Sequence, residues 1–407
     1  MTERSDALII GGGIIGLSVA FRLCQADLSV TILERGGCGC AASWAAAGII
    51  APGNPHRSDH LYAIHCESID RYPSFCGELQ DISGIDPQYT RCGALRFLTT
   101  EQFVQMGESD IRVTAERTTD DGLPVLELLT TDQCRKLEPS VTGEALAIMQ
   151  CRTTAQVRNP RLLRALRTAC TKLGVTIREN TPVASLTVEK RRVTGARTHS
   201  EYFTADRTVL CAGAWSSQFV APDLADLIPV HPVKGQIILL DTVANLPEPR
   251  DSSRAPPEVP SDDVNTHVPA KGPPFSRVIH KRHTYLVPRN DGKVLLGATI
   301  EPDAGFDKRN TAQAVNSLMT DAIIMVPCIA QASVAAMWSG FRPGTPDGRP
   351  HIGPVPGHQG LIAATGHYRS GLALAPITAD IVRDLIVHGK TSFELDRCAP
   401  GRKFPGP

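Results

Sequence analysis

Residues 6–23, DALIIGGGIIGLSVAFRL, decide the fold. ALII at 7–10 is a short apolar strand and GGGIIG at 11–16 a glycine turn; the apolar pattern after it predicts a helix to about Ala26, before a second strand, SVTILE, at 29–34. This is the grammar of a βαβ unit. Gly11, Gly13 and Gly16 form G-x-G-x-x-G directly between strand and helix, where glycines permit the tight turn, a pyrophosphate can come close, and the helix N-terminus faces the phosphates. Glu34 ends the second strand eighteen residues after Gly16, where a carboxylate accepts hydrogen bonds from a ribose 2′-OH and disfavours a 2′-phosphate. The pattern predicts a dinucleotide, NAD or FAD in preference to NADP, against the plainer reading of a structural strand-to-helix turn.

Outward from this unit, ASWAAAGII at 42–50 places small, uncharged residues after the second strand. Such a backbone can lie against a large flat ring, and it is equally suited to a core helix packed on small side chains. A second α/β stretch opens at Asn159 and Pro160, with Leu162, Leu166, Ala169 and Leu173 at helical spacing and Gly174 as the stop. Short strands follow at 175–177, 183–188, 193–197 and 207–210, before CAGAW at 211–215. The last piece repeats the opening order: LIAAT at 361–365, a glycine-containing turn, and a helix from about Gly371 to Val387.

The fold class is therefore α/β (α+β), with a Rossmann-like domain assembled from residues 1–80, 151–230 and 336–407. It is interleaved with a substrate domain from 81–150 and 231–335, whose stretches VKGQIILL, HTYLVPR and KVLLGATI suit an antiparallel sheet. Residues 247–274 contain eight prolines among Ser, Asp and Glu, and read as a mobile insertion, either a solvated loop or a lid or docking segment beside the site.

Composition narrows the function classes. The chain has 407 residues, room for two or three domains, and balances 42 Lys plus Arg against 42 Asp plus Glu, so no global positive field recruits nucleic acid or an anionic membrane. No uninterrupted apolar run approaches the roughly 20 residues of a membrane span. Glu3 and Asp6 precede the first apolar stretch and glycines interrupt it, which argues against an export signal. The twelve cysteines contain no CxxC pair and read as thiols of a reducing cytoplasm, with no metal site.

Taken together, DALIIGGGIIGLSVAFRL, ILERG, ASWAAAGIIAP, ADRTVLCAGAW, HTYLVPR, LLGATIEPD, WSGFRPGTPDGRPHIGP and TGHYRSGLALAPITADIVRDLI resemble the D-amino-acid oxidase superfamily, specifically glycine oxidases of the ThiO type. The resemblance runs from about residue 6 to residue 386 in one order, and its most specific part is WSGFRPGTPDGRPHIGP with GHYRSGLALAP. It implies the glutathione-reductase/D-amino-acid oxidase type of FAD domain and a tightly held FAD, non-covalent because no cysteine or histidine occupies an attachment motif. Gly11, Gly13, Ile14, Ile15 and Gly16 then meet the pyrophosphate, and Glu34 and Arg35 the adenosine ribose. Ala42, Ser43, Ala47, Gly48 and Ile49 line the flavin side, Val183 meets the adenine through its backbone, and Gly213 makes a second close approach; strand packing is the rival role for Val183. His367, Tyr368, Arg369, Ser370, Gly371, Leu372 and Ala373 bring the last helix to the flavin, whose reduced anion its N-terminus would stabilise.

The same resemblance implies an oxidation of glycine, and of sarcosine and small D-amino acids, to an imine, with glyoxylate, ammonia and hydrogen peroxide as products and O2 as acceptor. It also implies service to the thiazole part of thiamine, and a homo-oligomer of the tetrameric kind. Arg342 in GFRPG corresponds to the arginine that holds the substrate carboxylate, a task suited to a planar bidentate fork. Arg369 is the second arginine of the pocket, Tyr285 the tyrosine whose hydroxyl reaches the carboxylate, and His283 a wall residue sharing a strand face with Tyr285. His280 is open to two readings, a simply exposed residue or a position of the pocket. The family often has tyrosine at His280 and methionine at Ile300, so the pocket differs in polarity and shape. A dehydrogenase passing electrons to a quinone or partner protein, and a flavoprotein that serves only as a binding subunit, are the alternatives.

Overall fold

Ala7, Leu8, Ile9 and Ile10 are buried without alternation, as are all four residues of Val30–Leu33, and strands covered on both faces belong inside a parallel sheet. The computed structural model describes residues 3–53, 55, 61–218, 220–242 and 272–404, and in it these strands lie side by side. The sheet runs in the order His351–Pro354, Leu361–Thr365, Tyr202–Leu210, Glu3–Ile10, Val30–Leu33, Thr176–Arg178. All of its pairings are parallel except that of the outermost strand, His351–Pro354. The antiparallel strands Ser185–Glu189 and Arg192–Arg197 extend it from Tyr202–Leu210.

Three helices, Ile14–Cys24, Asn159–Lys172 and Gly371–Val387, share one core through Leu17, Phe21, Leu166, Ala375 and Ala379. The first and last of them come from opposite ends of the chain. Their packing in this core turns both N-termini toward the same side of the sheet, the carboxyl end of the strands, where ligands of such folds bind.

The second sheet has the order Ser333–Gly344, His231–Asp241, Lys293–Gly297, Thr284–Pro288, Val278–Lys281, Ala94–Leu98, Ala147–Cys151, Leu126–Leu129. The expected antiparallel pairing holds at every join but one: Val278–Lys281 and Ala94–Leu98 are parallel, because a strand from each of two distant segments enters in the same direction. Ser333–Gly344 pairs with His231–Asp241 from end to end, so residues 336–344, which the sequence reading put in the nucleotide-binding domain, belong to this sheet. The proline-rich insertion 247–274 lies outside the described residues as far as residue 271.

Alternation divides the two faces of this sheet. Leu95, Phe97, Ile238, Ile279, Leu286 and Leu296 pack with Leu318, Ala322 and Met325 of the helix Ala312–Met325. On the other face Arg96, His280, Tyr285, Gly297 and Ile237 stand in one register row. That face meets residues 43–49, and one buried side chain fastens the contact. The Arg289 guanidinium donates to the carbonyls of Ala47 (2.8 Å) and Val157 (2.9 Å) and to Gln156 Oε1 (2.9 Å).

Replacing Arg289 with methionine leaves these buried acceptors without a donor, at a cost of about 3 kcal/mol or more. The expected outcome is a clear fall in the thermal midpoint of purified Arg289→Met; an unchanged midpoint contradicts the role.

Candidate functional site

A cavity of about 1030 Å³ runs from the glycine turn to the second sheet. At its first end, Gly11 has φ +107, and a Cβ on Gly16 would stand 1.9 Å from the Gly11 carbonyl oxygen, so the helix can approach the strand this closely only as glycine. Gly16 therefore sits behind the turn and does not line the cavity, whereas Gly11, Gly13, Ile14 and Ile15 do. The helix Ile14–Cys24 has no side-chain cap from Gly13, and the amide of Ile14 donates to Ser43 Oγ at 2.9 Å. The next amides of the first turn, those of Ile15 and Gly16, have no side-chain cap and suit an anion.

Glu34 is fixed by its own surroundings: it accepts from the amides of Gly12 (2.8 Å) and Gly36 (2.9 Å), one on each carboxylate oxygen. Arg35 stacks its guanidinium over the Trp215 ring, 3.4 Å from the centroid, and burial lowers its pKa, opposed by the charge of Glu34. Val183 and Gly213 line the same end. Val183 precedes the strand Ser185–Glu189 rather than lying in it.

Residues 42–50 do not make a core helix. Ala42–Ala45 is a single turn, Ala46 is extended at ψ 164, and the backbone then runs along the cavity wall through Ala47, Gly48 and Ile49. Its carbonyls are capped from elsewhere: Asn159 Nδ2 donates to Ser43 and Trp44 (2.9 and 2.6 Å), Trp338 Nε1 to Ala45 (3.1 Å) and Arg289 to Ala47. None of these three caps was singled out from sequence as a ligand of this segment.

Opposite lies the loop 366–370 and the helix Gly371–Val387, again without a side-chain cap at Ser370. Ser68 and Tyr72 donate their hydroxyls to the carbonyls of Ala373 and Leu372, fixing the helix start. The amide of Tyr368 donates to the Pro343 carbonyl at 2.9 Å, tying the loop to the strand of Arg342. His367 is buried with Nε2 3.1 Å from Thr378 Oγ1, and burial, then the neighbouring His65 and His351, pull its pKa down to about 3.

At the far end Arg342 lies beneath Gly235: a Cβ there would come within 2.3 Å of Arg342 Nη1. Its guanidinium donates to the carbonyls of Thr299 (3.0 Å) and Lys234 (3.3 Å) and stands beside the Tyr285 hydroxyl. Tyr285 in turn fits against Gly297, its cross-strand partner, where a Cβ would be 2.8 Å from the hydroxyl. Burial raises the Tyr285 hydroxyl and lowers Arg342, yet a guanidinium keeps its proton, so the cavity ends in a fixed cation beside a phenol donor. Arg369 lines this end as well.

Of the two histidines on this hairpin, His283 leaves the wall expected of it and His280 stands in it. His283 lies in the turn between Val278–Lys281 and Thr284–Pro288, exposed and outside the cavity wall, because the strand alternation that would pair it with Tyr285 begins only at Thr284. His280, whose two readings were an exposed residue and a pocket position, is Tyr285's cross-strand partner and lines the cavity, with ring centroids 6.1 Å apart. Burial, then Arg96 and Arg369, bring its pKa down to about 4, so it is neutral at physiological pH. The hairpin turn is the signal that would have separated the two.

The family model for FAD dependent oxidoreductases matches residues 6–385. A glycine oxidase of Pseudomonas putida is 36% identical over 397 residues, covering 97% of this chain and 98% of that protein. The bifunctional protein ThiO/ThiG of Synechocystis is 34% identical over 99% of this chain and 54% of its own length. The crystal structure of glycine oxidase from Geobacillus kaustophilus superposes with a TM-score of 0.84 at 29% identity, over 99% of this chain and all of that one. Among the described residues no helix is long and apolar enough to cross a membrane, no group of three or more His, Cys, Asp or Glu is placed to hold a metal ion, and all twelve cysteines are free.

His280, His351 and His367 have folded pKa values near 4, 4 and 3, all below the ordinary value of about 6.5. As pH falls the unfolded chain takes up these protons first. Their contribution to stability is therefore whole above about pH 6.5 and is lost progressively toward pH 4. The thermal midpoint is expected to drop over that window and His280→Asn to shallow the slope; a midpoint flat from pH 6.5 to 4 contradicts the assignment.

Proposed function

The chain belongs to the FAD-dependent oxidoreductase family, and on that premise we propose that it is a glycine oxidase, acting also on sarcosine and small D-amino acids. The observation that supports this most is the meeting of three features in one cavity: the uncapped start of the helix Gly371–Val387, the wall of small residues 42–49, and the Arg342–Tyr285 pair. The cradle fits FAD. Two helix N-termini offer amides to anionic groups, Glu34 is oriented for a ribose, and the segment from Ala42 to Ile49 presents backbone and methyl groups to a flat ring. Gly11, Gly13, Ile14, Ile15, Glu34, Arg35, Val183 and Gly213 would hold the nucleotide portion, with Gly16 acting from behind. Residues 42–49 and 367–373 would hold the flavin. When bound, FAD supplies the two-electron acceptor that oxidation of an amine carbon requires.

The chain's own residues bind and orient. Arg342 and Tyr285 hold the carboxylate by a charge-assisted fork and a phenol donor, which fixes the adjacent Cα. The guanidiniums of Arg342 and Arg369 disfavour an ammonium beside them, so the substrate nitrogen is held neutral with its lone pair available to form the C=N bond. His280, its pKa held down to about 4 by burial and by Arg96 and Arg369, stays neutral and adds nothing to that positive field. No nucleophilic side chain takes part, and the imine hydrolyses to glyoxylate and ammonia. O2 serves as the final acceptor with release of peroxide, and a supply of imine for thiazole assembly is the cellular role we assign.

Anaerobic addition of glycine to the purified flavoprotein is expected to bleach its visible absorbance, and air to restore it with peroxide. Slow return points instead to a dehydrogenase with another acceptor, and no bleaching by glycine, sarcosine or D-alanine contradicts the proposal. Arg342→Lys should retain FAD and raise KM for glycine by tenfold or more, roughly the loss of one charged hydrogen bond; an unchanged KM removes Arg342 from the carboxylate role.

A further inference from the structure

Across the cavity-facing side of the second sheet, Arg96, His280 and Tyr285 stand directly opposite one another on adjacent strands, and Arg342 reaches Tyr285 from the other direction. The strip therefore carries a cation at each end, with a phenol and a neutral imidazole between. Strands lie about 4.8 Å apart, so the Cα atoms of Arg96 and Tyr285 are separated by roughly 10 Å, a span that the long arginine side chain shortens. Arg96 is only partly exposed, at 38%, and its nearest carboxylate, Asp110, is 3.9 Å away, beyond hydrogen-bonding distance. Arg369 adds a second guanidinium near His280. A substrate with one carboxylate, held by Arg342 and Tyr285, makes no use of this second cationic end.

We propose that Arg96 forms a second anion subsite, and that the chain prefers small amines carrying two carboxylates over those carrying one. This deepens the glycine oxidase reading and rests on it: the oxidised C–N bond and the fate of its electrons are the same, and the nitrogen substituent or side chain extends along His280 toward Arg96. The neutrality of His280 suits this path, since it neither repels the amine nor competes with the two arginines for the carboxylates. Asp110 limits the net charge of the subsite and sets its reach, because a carboxylate entering beside Arg96 must keep to the side away from it.

The test compares N-(carboxymethyl)glycine with N-ethylglycine, which has a similar chain length and lacks the second charge, using the holoenzyme in steady state. The expected kcat/KM is about tenfold higher for the dianion, carried mainly by KM, and added salt narrows the ratio. Arg96→Met should abolish the preference while kcat/KM for N-ethylglycine stays within about twofold, and Arg96→Lys should restore part of it. Equal or better use of N-ethylglycine by the unaltered enzyme overturns the proposal, as does an Arg96→Met variant that loses both substrates alike. If glycine itself is oxidised and the preference is missing, the subsite alone falls; if glycine and both amines fail, the function on which it rests falls with it.

Discussion

Residues 43–47 have almost no regular structure of their own, and a short irregular segment inside a protein must find partners for its carbonyls elsewhere. Asn159, Trp338 and Arg289 provide them, the first from the helix Asn159–Lys172, the second from the strand Ser333–Gly344 and the third from the turn after the strand Thr284–Pro288. Because these donors come from three separate stretches, the segment is defined only when both domains are in place. It also lines the cavity that joins the glycine turn to Arg342. The two domains are in this sense a single structure: the site is built where each completes the other's hydrogen bonds.

The second organising device is the removal of side chains where charged or polar groups must be laid flat. Gly235 makes room for the Arg342 guanidinium and Gly297 for the Tyr285 ring, each on the strand next to the residue it accommodates. Burying a guanidinium costs desolvation, offset here by the carbonyls of Lys234 and Thr299. What remains is a cation whose orientation is settled before any ligand arrives. Orientation settled in advance is what a substrate with a single small carboxylate needs, since it offers few other contacts by which to be aligned.

Much of this was legible in the chain. The unit from ALII to SVTILE and the helix from Gly371 follow from periodicity and glycine placement, whereas Tyr285 and Arg342 were singled out only through the family resemblance. The strand-to-strand register was not legible, and it decides the remaining features. A hairpin turn at Arg282 and His283 moves His283 out of the wall and puts His280 in it, a shift of three residues that periodicity alone cannot detect. Likewise Ser333–Gly344 belongs to the second sheet because of what it pairs with, although its sequence reads as a prelude to the last nucleotide-binding segment. Arg96, Asn159 and Arg289 gain their places through contacts over 100 residues or more, where local sequence carries no signal.

The central claim is that one cavity joins an FAD cradle to a carboxylate anchor at Arg342. Glycolate has the carboxylate of glycine without the amine, so it can occupy the anchor without reacting. Titrating glycolate, and separately its neutral amide, into the flavoprotein while following the flavin spectrum tests the claim most directly. The account predicts a saturable perturbation by glycolate that the amide does not produce and that Arg342→Met loses with its FAD retained. Equal binding of acid and amide, or undiminished glycolate binding by Arg342→Met, would contradict it.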